Sequence, residues 1–225
     1  MSRSTKILAL ETATEGCSAA LVIGDQVLER FEVAPRGHSQ RILPMADELL
    51  AEAGLGVGQL DAIAFGRGPG AFTGVRIAVG VAQGIAFGAE LPVLPVSTLA
   101  ALAQGAEADR VLAAIDARMD EVYWGAFQRN TDGLMLSCGE ECVSAPGEVP
   151  VPDGDGWLGV GSGWQAHGDA LAARLPVTGQ VGDALPRAAA VALLGQAALA
   201  AGQAVDAEAA LPVYLRDRVT WKKIR

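Results

Sequence analysis

The stretch DAIAFGRGPGAFTGVRIAVGVAQGIAFGAE, Asp61–Glu90, decides how this chain is read. It begins as a short apolar strand, Ala62–Phe65, and passes through the glycine-dense turn Gly66-Arg67-Gly68-Pro69-Gly70. It then runs as a helix from Thr73 through Gly88. A surface helix is normally polar along one broad side, because that side meets water. After the first turn the polar residues here are Arg76, Gln83 and Glu90, and steps of seven stack them in one narrow seam. Both flanks of the seam therefore need a cover. The protein's own sheet supplies one. The other flank, with Gly80, Gly84 and Gly88, has no evident owner in so short a chain. Each mid-helix glycine costs ~1 kcal/mol against alanine, so three of them ask for a compensating gain. Close approach of a second helix backbone supplies such a gain, and the sequence predicts a docking helix.

At 225 residues the chain forms one domain or two small lobes with ample core. A hydrophobic content of 51% against 19% charged residues describes a globular protein with generous apolar surface. No segment argues for a membrane. Arg76 and Gln83 interrupt the docking helix, and the Ala188–Ala201 run is short and carries Gln196, below the roughly 20 apolar residues of a span. Ile7–Leu10 ends at Glu11, too brief for a secretory signal core. Cys17, Cys138 and Cys142 are too few for a disulfide framework and fit a reducing, cytoplasmic setting. Neither Cys138 nor Cys142 has a histidine nearby to complete a zinc site. A net charge of −9 argues against a broad nucleic-acid footprint. The last ten residues nevertheless hold Arg216, Arg218, Lys222, Lys223 and Arg225 around Trp221. Such a tail is either a solvated terminus or a contact for phosphates or an acidic patch on a partner.

Two halves share one grammar. Lys6–Leu10 reads as a strand ending in Glu11, then come the turn Thr12–Gly16, a strand Cys17–Ile23, a Gly24-Asp25 hairpin and a strand Gln26–Val33. Later, Val111–Ile115 ends in Asp116, Ala117-Arg118-Met119-Asp120 turns, Glu121–Phe127 alternates as a strand, and Asn130–Gly133 turns again. The matching acid at each first-strand end suggests duplicated lobes, 1–105 and 106–225, each a mixed sheet with helices. His38–Ala53 carries Ile42, Ala46, Leu49, Leu50 and Ala53 at helical spacing and closes on Gly54. Its Pro44 sits near the start, where proline is best tolerated within the first turn; if the helix begins at Ser39, a kink follows instead. Ser97 is an N-cap for a short helix to Gln104, and Gly105–Asp109 marks the boundary between lobes. In the second half Trp157–Val160 reads as a strand, Gly161-Ser162-Gly163 as a turn, and Gln165–Arg174 and Pro186–Ala201 as helices, the last buried.

Several motifs carry two readings. Gly66–Gly70 is either a tight strand-to-helix turn or a cradle whose amides hold an anion; it is not a Walker A loop. Glu11 and Asp116 face each other across duplicated lobes, where carboxylates would act on ATP through Mg²⁺ and water. The first turn offers Thr12 and Thr14 but no glycine before Gly16, and the second is bulky. A working ATPase site is therefore disfavoured, leaving a weak or vestigial nucleotide pocket of Glu11, Thr12, Asp116, Gly161 and Ser162. Gly159–Gly163 is an ordinary turn or a segment passing near an adenosine. His38 and His167 stand far apart with no i, i+4 partner for a metal, and no nucleophile triad is readable. A lone histidine at a helix start reads as a cap or surface residue.

Together these residues resemble the bacterial TsaB (YeaZ) family, required for tRNA threonylcarbamoyladenosine biosynthesis. The matching stretches are LALET (Leu8–Thr12), His38-Ser39-Gln40 with Leu43-Pro44-Met45, GRGPGAFTGVRIAVG (Gly66–Gly80), DARMDEVY (Asp116–Tyr123) and PVYLRD (Pro212–Asp217). The resemblance implies an α/β, actin-like fold of the Hsp70 and sugar-kinase (ASKHA) superfamily with two related lobes. It implies pairing, as a homodimer or with the catalytic paralogue TsaD, through the helices His38–Ala53 and Thr73–Gly88. The interface residues expected on them are Ile42, Met45, Leu49, Ile77, Gly80, Val81, Gly84 and Gly88. TsaD, with the ATPase TsaE, transfers threonylcarbamoyl to adenosine 37 of tRNA and holds a metal through two histidines at i, i+4. Here only His38 stands in the corresponding helix, which removes the metal and its chemistry. The expected role is a non-catalytic subunit that activates TsaD and meets tRNA only through the complex, with ATP or ADP at most weakly held or at the partner interface. The alternative is a stand-alone ATP-binding kinase or ATPase.

Overall fold

The structure, a computed structural model, describes residues 4–216. Strands β1 (Lys6–Glu11), β2 (Gly16–Ile23) and β3 (Gln26–Val33) lead into helix α1 (His38–Ala53), then β4 (Ala62–Gly66), α2 (Phe72–Ala89), β5 (Val93–Val96) and α3 (Thr98–Gln104). The second half follows with β6 (Arg110–Arg118), β7 (Glu121–Arg129), the short β8 (Met135–Ser137) and β9 (Cys142–Ser144). It ends with β10 (Trp157–Val160), α4 (Ser162–Ala172), β11 (Val177–Val181) and α5 (Ala188–Ala200). The first sheet runs β3-β2-β1-β4-β5 and the second β8-β7-β6-β10-β11, with β9 also paired to β7. Strand for strand the two orders coincide. In both, the opening hairpin is antiparallel and the later strands join in parallel. The duplicated architecture expected from the two acidic strand ends is present.

The central strand β1 is apolar without alternation because both its faces are covered. Leu8 and Leu10 point into a core with Ile42, Leu49, Phe65 and Val75 beneath α1 and α2. Ile7 and Ala9 point the other way, toward Val191 and Ala192 of α5. In the second sheet, Trp124, Trp157 and Trp164 fill the side under α4, while Leu99, Leu102 and Ala103 of α3 cover the other with Val111 and Ala113. The division at residue 105 is thereby corrected in one respect. α3, from the first half, packs on the second sheet, and α5, from the second half, packs on the first. Small side chains make the second crossing close: a Cβ on Gly195 would stand 2.9 Å from that of Ala64. Only the inner side of α5 is buried, and Leu193 faces out.

Helix ends follow local chemistry. α1 stops at Gly54, whose φ of 63° is left-handed and whose N–H reaches the Ala51 and Leu50 carbonyls. Pro44 lies inside α1, past the first turn expected of it, on the exposed side. Gly161 is the N-cap of α4, so Gly161-Ser162-Gly163 begins a helix instead of forming a free turn, and non-helical backbone at His167 interrupts it. The earlier start is possible because Gly161 adopts φ 104° and Gly163 has no Cβ to strike Ala114. Ser97 caps α3 by accepting the Ala100 N–H at 3.2 Å, and its hydroxyl donates to Glu141 of the second half. Ser97→Ala is expected to cost about 1–2 kcal/mol of folding free energy, cap and cross-lobe bond together. Urea unfolding of variant and parent checks this.

Length and composition alone would let Phe72–Ala89 cross a membrane, the interruptions by Arg76 and Gln83 notwithstanding. In the fold this helix packs on β4, with Val75, Ala78, Val79, Ala82 and Ala86 buried. The segment after α5 returns along it. Val205 bridges Val93 at the sheet edge, Ala210 is buried against the core below α2, and the Val213 N–H donates to the Arg67 carbonyl at 2.8 Å. The basic tail beyond Arg216, with Arg218, Trp221, Lys222, Lys223 and Arg225, lies outside the described residues.

Candidate functional site

Two features stand out: the outer side of α2 and the cleft between the lobes. On α2, Gly80, Gly84 and Gly88 are exposed, and a Cβ built on any of them would meet nothing within 4 Å. The described chain leaves all three bare positions open. Phe72 and Phe87 flank them at 58% and 72% exposed. Two residues of the polar seam, by contrast, have partners in the C-terminal segment. Arg76 donates from Nε to the Tyr214 hydroxyl at 2.7 Å and lays its guanidinium 3.8 Å over the Phe72 ring. Gln83 donates to the Ala210 carbonyl at 2.9 Å.

Part of the expected interface needs correction. Ile42, Met45 and Leu49 are at most 2% exposed and belong to the core between α1 and the sheet. Ile77 and Val81 are half-buried against the same core. The spacing that marks α1 as a helix marks its inner side, and periodicity alone does not distinguish a side facing the core from one facing a partner. What α1 offers outward is Leu43, 45% exposed, with Pro44 and Asp47.

The cleft, ≈ 410 Å³, is lined by Thr14 and Glu15 of the first turn, Phe72 at the start of α2, Asp116 and Arg118 at the end of β6, and Ser162 and Gln165 of α4. Asp116 and Ser162 lie side by side in this lining, the Asp116 N–H donating to the Ser162 hydroxyl at 3.1 Å. Glu11 and Thr12 are not part of the lining. Both are fully buried, with Thr12 donating to the Gly74 carbonyl at 2.7 Å. Glu11 accepts the Ala13 N–H at 2.6 Å and the Thr98 hydroxyl at 3.3 Å. Burial pushes its carboxyl up to about 7, against the smaller opposing pull of those bonds. Gly66 must lack a side chain, since a Cβ there would overlap the Glu11 carboxyl. His38 is neither a cap nor a surface residue: it is buried, and its Nε2 meets the Thr14 carbonyl at 2.9 Å.

The repeat extends to the acids themselves. Glu11 accepts the amide two residues on, and Asp116 does the same with Arg118 at 2.9 Å. In the second turn, Arg118, Met119 and Asp120 all take left-handed φ of 59–61°. Left-handed backbone costs roughly 1–2 kcal/mol for each non-glycine residue, so the surroundings must hold this turn. Asp116 does so through both the amide and the guanidinium of Arg118. Arg216 does so from the C-terminal segment, donating to Glu121 and, at 3.4 Å, to the Arg118 carbonyl. Sequence reasoning missed this clamp and the cleft position of Phe72. An exposed aromatic at a helix start was the available signal for the second.

As a Mg·ATP site the residues fit poorly. One acid is sealed inside and holds a proton near neutrality, and the other is paired with Arg118. Among the described residues, no three metal-ligating side chains converge.

The family model described as TsaD, tRNA N6-adenosine threonylcarbamoyltransferase, matches residues 30–223. The tRNA threonylcarbamoyladenosine biosynthesis protein TsaB of Escherichia coli is 46% identical, with 97% of this chain and 98% of that protein aligned. Its counterpart of the same name in Haemophilus influenzae is 44% identical over 97% of this chain and 96% of its own length. The solved structure of YeaZ from Pseudomonas aeruginosa superposes with a TM-score of 0.87 at 50% identity, covering 94% of this chain and 100% of that one.

Proposed function

This chain belongs to the TsaB family, and we propose that it serves tRNA threonylcarbamoyladenosine biosynthesis as a non-catalytic subunit that docks on and activates a TsaD-like threonylcarbamoyltransferase. The observation that carries the reading is the open glycine side of α2. Three exposed glycines in one helix forgo helix stability that alanine would give, and no residue of the described chain occupies the space they leave. A helix backbone from outside fits that space, in an interface burying on the order of 1,200–2,000 Å² in total.

Charge supports the same side. Arg76 stands at the N-terminal end of α2, while Glu90, Asp206 and Glu208 stand exposed at its C-terminal end. A groove lined by Gly80, Gly84, Phe87 and Glu208 runs between helix and C-terminal segment. Two such helices crossing antiparallel at Gly80–Gly84 set basic end against acidic end. A second copy of this chain meets that condition, so a homodimer is part of the proposal. A TsaD-like protein, whose family model also describes residues 30–223, would present a related helix pair to the same surface. A TsaE-like ATPase and tRNA would join through that complex, in the cytoplasm.

The stand-alone kinase or ATPase reading is not favoured, because Glu11 is buried away from the cleft and Asp116 is paired with Arg118. Depletion of the protein followed by mass spectrometry of tRNA nucleosides tests the pathway. Loss of threonylcarbamoyladenosine is expected, and unchanged levels would reject the assignment.

A further inference from the structure

We propose that the C-terminal segment Val205–Arg216 is a latch that carries contact on the glycine side of α2 to the turn Arg118–Asp120 in the inter-lobe cleft, with Arg216 as the crossing point. The proposal rests on the docking role above and assigns it a means of regulation.

The segment borders both places. At one end, Ala207 and Glu208 form the wall of the groove that faces Gly80 and Gly84, so any helix seated there touches the segment as well as α2. From that wall it is pinned to α2 by Gln83 on the Ala210 carbonyl and by Arg76 on Tyr214, whose ring stacks 5.7 Å from Phe72. It next crosses the glycine-rich turn. There the Val213 N–H donates to Arg67, and the Val213 carbonyl would lie 2.9 Å from a Cβ on Gly68, whose φ is 96°. Only then does it reach the second lobe, where Arg216 grips Glu121, the Arg118 carbonyl and, at 3.6 Å, the Met119 sulfur.

What Arg216 grips is a turn of three consecutive left-handed residues, none of them glycine. Such backbone persists only while its surroundings over-determine it. Release of one clamp therefore favours a relaxed alternative, and Arg118, whose guanidinium pairs with Asp116 at the cleft, moves with it. A strained turn with a second accessible arrangement is the kind of two-state element through which two sites bias one another. By reciprocity, whatever the docked partner does to the turn, a change in the turn does to docking.

The test is hydrogen–deuterium exchange on the full chain, alone and with its purified TsaD-like partner, comparing the parent with Arg216→Ala. In the parent, amides of residues 116–123 are expected to slow at least about fivefold on complex formation, the low end of coupling between sites. In Arg216→Ala the complex still forms, and that slowing is lost. Equal slowing in both proteins, or none in the parent complex, overturns the latch while leaving docking intact. Absence of any complex with the parent on size exclusion overturns docking itself, and the latch with it. Should Arg216→Ala fail to fold, Glu121→Gln decides, since it leaves Arg216 in place and removes its charged acceptor. Loss of the response there supports the latch, and full retention rejects it.

Discussion

Gly84→Arg is expected to leave the monomer folded and to abolish co-elution with the TsaD-like partner. The monomer has room for the change, because position 84 is exposed and no atom of the described residues lies within 4 Å of a Cβ there. Replacing a mid-helix glycine removes a backbone-entropy cost of roughly 0.5–1 kcal/mol, so the melting temperature should hold or rise by about 2–4 °C. At a helix crossing the same substitution is severe. It drives a long charged side chain into the point of closest approach, where an unpaired charge is costly to bury. A fall in affinity of at least ~100-fold, about 2.7 kcal/mol, is the expected minimum. Size exclusion of the mixture and a thermal melt of the variant alone read the two halves separately. Co-elution at the parent's position would remove the glycine side from any account of assembly.

How much of this was legible in the residues divides along a physical line. The strands and hairpin turns, their repetition, the caps at Ser97 and Gly54 and the bare stripe on α2 are local signals, set by alternation, turn chemistry and spacing along one element. They survive folding because nothing distant competes with them. The exchange of α3 and α5 between the two sheets was not legible. A helix that is apolar around much of its circumference, such as Ala188–Ala200, packs against either sheet, and the choice depends on how the connections after β5 and β11 are routed. The same ambiguity misplaced Ile42, Met45 and Leu49, whose spacing is that of any helix lying on a sheet. Arg216 was invisible for a different reason. It sat in a run of cations that reads either as solvated or as a contact for another molecule, and its partners Arg118 and Glu121 are nearly a hundred residues away in the same chain.

Glu11 shows how a motif can keep its residue and lose its chemistry. The strand-end acid is present where two-lobed folds place a carboxylate near phosphate, yet it is fully buried, faces Gly66 and bonds only to neutral donors. Among the described residues no cation compensates it, and burial lifts its carboxyl from an ordinary 4.5 to about 7. The folded state therefore holds a proton that the unfolded state releases first. The stabilisation linked to this proton is complete below pH 4.5 and is lost as the pH climbs through 7. Across that window the loss amounts to roughly 3 kcal/mol.

Glu11→Gln keeps the shape and the acceptor for the Ala13 N–H while removing the ionisation. The variant should match the parent near pH 4.5 and exceed it at pH 8 by up to about 3 kcal/mol. Urea unfolding at the two pH values measures the difference, and other titrating groups cancel between the two proteins. A variant whose stability fell with pH as steeply as the parent's would show that Glu11 does not carry the buried proton. A catalytic or metal-holding acid predicts the opposite emphasis, lost activity with little change in the pH dependence of folding. The expected result instead makes Glu11 a structural group that closes the space between β1, Gly66 and Thr98. The uncovered side of α2 is then left as the feature on which this chain's contribution turns.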